Sequence, residues 1–286
     1  MAIGAERTTP WTYSDDYYRE YTRTTWDESA ERYVKLLGNL EPFGFDLLAR
    51  MDPKSRERCL DIATGPGEPA MSMARMVGLD GRVVGIDLSE NMVGLATRIA
   101  KERRIPNVEF RAMDAEKIDF PAESFDLAVS RFGFQIFTHP EIVAKEAFRV
   151  LVPKGRIGVT VWSSGEKAPA IHAVVGPMLE FAEPDETGYL PTPYELGGQG
   201  EMLKLFQDAG FQEGREERKT HLMVFKDEDE YLDVFVEGTP LGHSIREEEP
   251  AVQKKILART RENLKHWRTR RRLEIPCEGA IVTARK

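Results

Sequence analysis

Two glycines and two acids crowd into one short stretch, Asp61-Ile62-Ala63-Thr64-Gly65-Pro66-Gly67-Glu68, and a further acid, Asp87, stands 20 residues beyond Gly67. Glycines at a turn let a ligand lie against the backbone with no side chain in between. An acid at the spacing of Asp87, after a second strand, grips a ribose diol. Two readings are open on these residues: a dinucleotide site, or an adenosyl site without phosphates. Counted from Gly65, the third glycine of a dinucleotide turn falls on Ala70, a tolerated variant, so the count does not separate them. The charges lean one way. Asp61 and Glu68 put negative charge around the turn, which disfavours a pyrophosphate and favours a sulfonium or an ammonium group.

A second set follows a later apolar run: Arg131, Phe132, Phe134, Gln135 and His139. His139 is the best single candidate for a general base, because an imidazole titrates near neutrality; the alternative is a loop residue ahead of Pro140. Arg131 either holds an acidic acceptor or pairs with a core acid. His172, His221, His243 and His266 are scattered and read as solvated or packed. There is no Cys-x-x-Cys and no paired-histidine motif, so no metal site is expected. Arg268-Thr269-Arg270-Arg271-Arg272 could meet nucleic acid or anionic lipid, but it closes a charged helical pattern, where cations are favoured anyway.

The elements that must position these groups alternate. Charged Lys54 to Arg58 leads into the apolar Cys59 to Ile62, the start of a buried parallel strand, and Ala70 to Met76 reads as the helix after the turn. Val83 to Asp87 is a second strand. Ser89 is a good N-cap for a helix from Glu90 to Arg103. Val108 to Met113, Ser124 to Arg131 and Arg156 to Trp162 are further strands, with a helix from Pro140 to Val150. This alternation predicts an α/β fold with a doubly wound parallel sheet.

Before the first strand, Trp26, Ala30, Tyr33 and Leu37 share a helical face, and a second short helix is expected from Phe43 to Arg50, stopping before Asp52-Pro53. These helices make a natural lid. The aromatics Trp11, Tyr13, Tyr17, Tyr18, Tyr21 and Trp26 either pack it down or line an acceptor site, with Tyr17, Tyr21 and Trp26 the acceptor-side candidates together with Phe132 and Phe134. After Trp162 the pattern changes. Residues 163–198 are rich in Gly and Pro, with a helix near Ala168 to Phe181. A helix from Gln199 to Ala209, a strand from Arg218 to Phe225, a helix through Val236, one long charged helix from Glu247 to Arg272 and a last strand from Ala280 to Ala284 follow.

Leu60-Asp61-Ile62-Ala63-Thr64-Gly65-Pro66-Gly67 resembles the first motif of class I S-adenosylmethionine-dependent methyltransferases. Gly85-Ile86-Asp87-Leu88-Ser89-Glu90-Asn91-Met92, Phe110-Arg111-Ala112-Met113-Asp114-Ala115-Glu116 and Phe148-Arg149-Val150-Leu151-Val152-Pro153-Lys154-Gly155-Arg156 are similar to that family in order and spacing. The nearest subgroup is the ubiquinone/menaquinone-biosynthesis-like enzymes. The resemblance implies a Rossmann-like seven-stranded, mostly parallel sheet with antiparallel last strands, and S-adenosylmethionine as cofactor with S-adenosylhomocysteine as product. It implies that Ala63, Thr64, Gly65 and Gly67 form the turn at the methionine part, organised by Asp61. Asp87 would take the ribose, Leu88 and Met92 the adenine ring, and Asp114 the adenine amino group beside Ala115. The Ser130 carbonyl would meet the cofactor ammonium. Pro66 and Pro69 depart from the family pattern; Pro69 is expected in the first helical turn, where its missing N–H costs little.

Composition bounds the rest. The chain has 286 residues, 41% apolar and 31% charged, with a net charge of −8. That fits a globular protein and argues against a dedicated nucleic-acid binder. No stretch is apolar enough to span a membrane, and Met1 to Pro10 lacks a signal-peptide core. Two cysteines make no framework and suit a reducing cytoplasm. The chain divides into a helical lid (1–52), a cofactor-binding core (53–165) and acceptor-cap insertions with the last strands (166–286); a homodimer is left open. The reading is a methyltransferase for a small, partly apolar or aromatic molecule at carbon or oxygen. A non-catalytic cofactor-binding regulator, a nicotinamide-dependent oxidoreductase and an RNA methyltransferase are the rivals. There is no Asn-Pro-Pro-Tyr after the fourth strand, as amino-methylating DNA enzymes of the superfamily carry.

Overall fold

The computed structural model describes residues 15–182 and 193–286. Met1 to Pro10, Trp11 and Tyr13 lie outside the described residues, as does part of the Gly- and Pro-rich segment.

Strand alternation builds the core. In β1 (Arg58–Ile62), Cys59 faces one layer of helices and Leu60 and Ile62 face the other. β2 (Arg82–Asp87), β3 (Val108–Ala112), β4 (Phe125–Arg131) and β5 (Leu151–Trp162) continue the parallel sheet. β6 (Gln212–Phe225) and β7 (Leu273–Arg285) complete seven strands in the order β3-β2-β1-β4-β5-β7-β6. β7 runs antiparallel to both neighbours. The order reverses between β1 and β4, so a crevice opens past their carboxyl ends, where open α/β sheets bind ligands.

One face of the sheet packs on α2 (Ala70–Val77), α3 (Glu90–Glu102) and the end of α1 (Asp15–Met51). The other packs on α4 (Pro140–Val150) and α6 (Glu201–Asp208). Ser89 caps α3 as expected: its hydroxyl accepts from Met92 N at 3.0 Å.

Two expectations about helices are corrected. The helices before the first strand are one, α1, with Pro42 inside it. Leu36, Leu40, Phe43, Leu47 and Met51 recur at three- and four-residue spacing and are all nearly or fully buried, and that burial outweighs the bond lost at a single proline. The long charged helix is two, α8 (Pro240–Glu247) and α9 (Pro250–Lys265), because Pro250 starts a new helix at its first turn; 266–272 is not helical.

β5 pairs with β7 only as far as Trp162 opposite Gly279, whereas β6 and β7 stay paired out to Phe225 opposite Leu273. This two-stranded arm projects beyond the carboxyl edge of β5. It carries a third cluster made by α5 (Pro169–Phe181), α7 (Glu228–Glu230, continuing as a π-helical turn over Tyr231–Val236), α8 and α9, packed on Leu36, Leu40 and Phe43 of α1. The late strands are longer than their alternation predicts: the added residues of β7, 273–279, alternate buried and half-buried, and those of the edge strand β6, 212–217, are mostly exposed. Among the described residues no helix is long and apolar enough to cross a membrane.

Candidate cofactor and acceptor site

The turn after β1 is held from inside. Ala63, Gly65 and Gly67 all have left-handed backbone, with φ of 56°, 54° and 98°. Thr64 N donates to Ile86 O at 2.9 Å, which ties the turn to β2. Asp61 is fully buried. Its Oδ2 accepts from Thr64 Oγ1 at 2.7 Å and from Ala70 N at 3.0 Å, while Oδ1 has no partner among the described residues. Burial pushes its carboxyl up to about 7. Gly67 serves packing as well as conformation: a Cβ there would stand 2.7 Å from Met71 Cε and 2.9 Å from Phe110 Cζ. Pro69 sits one place before the helix, at the N-cap, rather than in its first turn. Glu68 turns away from the cleft to Ser72 Oγ (2.7 Å) and Arg103 Nη1 (2.9 Å).

Asp87 ends β2 at the lip of the same turn. Its Oδ2 accepts from Gly65 N at 2.8 Å and its Oδ1 from Ser89 N at 3.0 Å. Burial pushes this carboxyl up to about 6. Leu88, Met92 and Ala115 continue the wall. Asp114 Oδ1 accepts from Glu116 N at 2.8 Å. Its Oδ2 lies 2.9 Å from Arg19 Nε, close enough for an ion pair but without hydrogen-bond alignment, since that Nε–H finds no acceptor. Arg19 Nη2 donates to Glu116 Oε2 at 2.9 Å. Further along α1, Asp27 Oδ1 accepts from Ser89 Oγ at 2.5 Å and Asn91 N at 3.1 Å. The first half of α1 is thus tied across the ends of β2 and β3.

β4 delivers the opposite wall. Ser130 is fully buried and its Oγ has no partner among the described residues. Gly133 permits this approach: a Cβ there would stand 2.5 Å from Ser130 Oγ and 2.8 Å from Ala63 Cβ. Phe132 adopts a left-handed backbone (φ 61°) and stacks on Trp162, centroids 3.9 Å apart and planes 13° off parallel. Between these walls the cleft holds about 790 Å³ of atom-free space, counted to its open mouth.

The sequence-predicted residues divide. Asp87, Leu88, Met92, Asp114, Ala115, Ala63 and Gly65 line one cleft, with Trp26, Arg131 and Phe132 facing them. Asp61 and Ser130 stand behind its floor with free oxygens. Thr64 braces Asp61, and Gly67 packs the turn on Phe110. Three acceptor-side candidates lie elsewhere. Tyr21 bonds Ser244 of α8 at 3.0 Å, which satisfies its phenol outside the cleft, and the exposed Tyr17 stacks on Tyr21. Phe134 is buried edge-on to Phe206 and Phe137 in the α4–α6 layer. His139 stands at the N-cap of α4, outside the cleft lining, with its ring 3.6 Å from Glu141. Arg19, Tyr33 and Gly133 were not singled out; only Tyr33 left a signal, as a member of the helical face with Trp26.

These groups fit an adenosyl cofactor bearing a positive charge. The cleft offers the carboxyl groups of Asp87 and Asp114 with apolar side chains between them, and Asp61 Oδ1 and the Ser130 hydroxyl stand behind its floor. Among the described residues no cluster of three His, Cys, Asp or Glu could hold a metal ion.

A family model described as a methyltransferase domain matches residues 59–155. The chain is 32% identical over 179 residues to aklanonic acid methyltransferase DauC of Streptomyces sp. (strain C5), which covers 62% of this chain and 76% of that relative. The chain belongs to the methyltransferase-domain family. It is an S-adenosylmethionine-dependent methyltransferase. Demethylmenaquinone methyltransferase of Geobacillus sp. (strain WCH70) is 27% identical over 205 residues, 68% of this chain and 84% of the relative. Among solved structures, the putative methyltransferase BH2331 of Bacillus halodurans C-125 shares the fold with a TM-score of 0.55 at 24% identity, over 85% of this chain and 98% of that one.

Proposed function

We propose that this methyltransferase modifies a small, partly aromatic acceptor at carbon or oxygen. The observation that carries the proposal is the single cleft in which the acids that suit the cofactor face an aromatic wall of Trp26, Tyr33, Phe132 and Phe137. The relatives named for demethylmenaquinone and aklanonic acid speak for acceptors of quinone or polyketide type. Both cysteines are buried and free, in keeping with a reducing cytoplasm.

S-adenosylmethionine supplies an electrophilic methyl group on a sulfonium. In our reading Asp87 accepts from the ribose hydroxyls, Leu88 and Met92 hold the adenine ring, and Asp114 accepts from its amino group. Asp61 Oδ1 and Ser130 lie where an ammonium can be received. The protein's work is then to hold two reactants in line and keep water out, which can supply much of the barrier reduction without a protein nucleophile. Burial pushes both thiols up to about 12, so neither cysteine is a ready nucleophile. His139 has no place in this reading as a base, since its ring is not in the lining.

Incubation with methyl-labelled cofactor and pools of hydroquinones, phenols and aromatic polyketides should incorporate label, and carbon NMR of the product separates C- from O-methylation. Tight S-adenosylhomocysteine binding with no incorporation from any pool would favour the non-catalytic regulator instead.

A further inference from the structure

Arg131 is a buried cation with no counterion among the described residues. It is only 6% exposed and lines the cleft. Its side chain has no hydrogen bond or ion pair among the described residues, and its buried Nε has no partner. The other cation of the cleft, Arg19, is already committed to Asp114 and Glu116. A buried charge costs several kcal/mol unless something pairs with it. Asp61 does not supply the pairing. No Asp61 oxygen comes within 4 Å of the guanidinium, and the Asp61 carboxyl stays high, at about 7, despite Arg131's attraction.

Its position says what the partner would be. By strand alternation Arg131 follows Leu127 and Val129 onto the face that meets α1. There its Cδ and Nη1 stand 3.5 and 3.6 Å from where a Cβ of Gly44 would be. Next to Gly44, Phe43 meets both Phe132 and Trp162 edge-on, at 5.3 and 5.1 Å. The guanidinium therefore lies beside α1 at Gly44, one residue from the Phe43 that meets the aromatic wall. Tyr33 completes the corner. Its ring edge lies 3.7 Å from where a Cβ of Gly65 would be, it lines the cleft, and its hydroxyl has no hydrogen-bond partner among the described residues. The phenol lies within electrostatic reach of Arg131.

We infer that Arg131 and Tyr33 form an anion-recognition corner, and that the acceptor carries a negatively charged oxygen on an aromatic frame, as a carboxylate or an ionised enol. This rests on the proposed small-molecule reading and narrows it to a substrate class. A charged, partly desolvated hydrogen bond of this kind contributes about 1.5–3 kcal/mol, about tenfold or more in affinity.

The test uses two matched pairs of probes, titrated calorimetrically into protein saturated with S-adenosylhomocysteine. 2-Naphthoate is set against 2-naphthamide, and ionised 2-hydroxy-1,4-naphthoquinone against 1,4-naphthoquinone. The wild type should prefer the anion in at least one pair by about tenfold, and the pair that responds tells carboxylate from enolate. Arg131→Gln should abolish the preference while leaving the neutral probe and S-adenosylhomocysteine bound as before; Arg131→Lys should restore part of it. Tyr33→Phe, a smaller change that serves if Arg131→Gln fails to fold, should cut the preference by about threefold. Equal binding of anion and neutral probe in both pairs overturns the anion corner but leaves the aromatic-acceptor reading standing. An unchanged preference in Arg131→Gln overturns it too. A parallel loss of S-adenosylhomocysteine affinity would assign Arg131 to the cofactor and overturn it. No binding by any of the four probes would overturn both readings.

Discussion

The two walls of the cleft are built differently. On the cofactor side, Asp61, Asp87 and Asp114 lie at or just past the ends of three adjacent parallel strands, and their carboxyl groups are held in place by backbone donors: Ala70, Gly65, Ser89 and Glu116. On the acceptor side, Tyr33, Arg131, Phe132 and Trp162 come from a helix and two strands, and they meet only through packing: Phe132 on Trp162, Phe43 against both, Arg131 against Gly44. The first wall is made of acids held ready by local bonds. The second is an apolar surface with a cation, Arg131, that has no ion pair among the described residues. A wall organised locally can be kept while the other is rebuilt for a new acceptor, because the strand ends do not depend on what packs above them.

If the cofactor wall works as described, the largest effect belongs to Asp87→Ala. Losing charged hydrogen bonds to two ribose hydroxyls should weaken S-adenosylhomocysteine binding by about a hundredfold, as two bonds of about 1.5 kcal/mol each predict. Calorimetry measures it, and a loss below about threefold would mean that the ribose is held elsewhere.

The next effect is pH. Burial raises the Asp61 and Asp87 carboxyls to about 7 and about 6. Both therefore hold more protons in the folded, ligand-free protein than in the unfolded chain, where they titrate near 4. Without ligand, the stability these two groups contribute is fully present at low pH and is lost as pH rises through 6 to 7. With ligand the sign reverses, since ribose donors and an ammonium demand carboxylates. S-adenosylhomocysteine affinity should begin to fall below pH 7, by up to about tenfold per pH unit for each carboxyl that is protonated, and the thermal shift it causes should be larger at pH 8 than at pH 5.5. A pH-independent affinity over that range would remove these carboxyls from the site.

The sheet and the cofactor wall were legible in the sequence for the same reason that they are local. Asp87 follows Gly67 at a fixed distance because one helix and one strand separate them, and the alternation from Cys59 to Trp162 is a direct image of strands and helices packing in turn. The acceptor wall left no such image. Nothing in the spacing of Tyr33 and Arg131 brings them together; α1 does, and where the local pattern predicts two helices α1 is one, with Pro42 inside it. The burial of Leu40 and Phe43, which overrules it, depends on contacts with the later arm of β6 and β7. Tyr17 and Tyr21 were misplaced for the same reason: their partner, α8, was not visible as a separate helix.

Gly133→Ala probes where the walls join. Its backbone (φ −79°, ψ −42°) suits any residue, so the effect comes from crowding alone. The new methyl would meet Ser130 Oγ, which can rotate, and Ala63 Cβ, which can move only with the turn. S-adenosylhomocysteine should bind about tenfold more weakly, for a strain of about 1–2 kcal/mol, while a wild-type urea midpoint would show that the fold is intact. Weakened binding of aromatic probes with unaltered cofactor affinity would instead place Gly133 on the acceptor side.

The smallest effect sharpens the comparison most, because Arg19 belongs to one wall by chain and to the other by contact. It rides on α1, whose later turns carry Tyr33, yet it pairs with Asp114 and Glu116 beyond the end of β3. In our reading an adenine amino group competes with Arg19 for Asp114 Oδ2. The guanidinium shifts toward Glu116 when cofactor enters, loosening its hold on that oxygen. Arg19 is about one-third exposed, so the pair is worth little, on the order of 1 kcal/mol. Arg19→Ala should therefore raise both association and dissociation rates of S-adenosylhomocysteine a few-fold in stopped-flow fluorescence, with little change in affinity. A slower association would mean that Arg19 guides the cofactor in, and that α1 belongs functionally to the cofactor wall along its whole length.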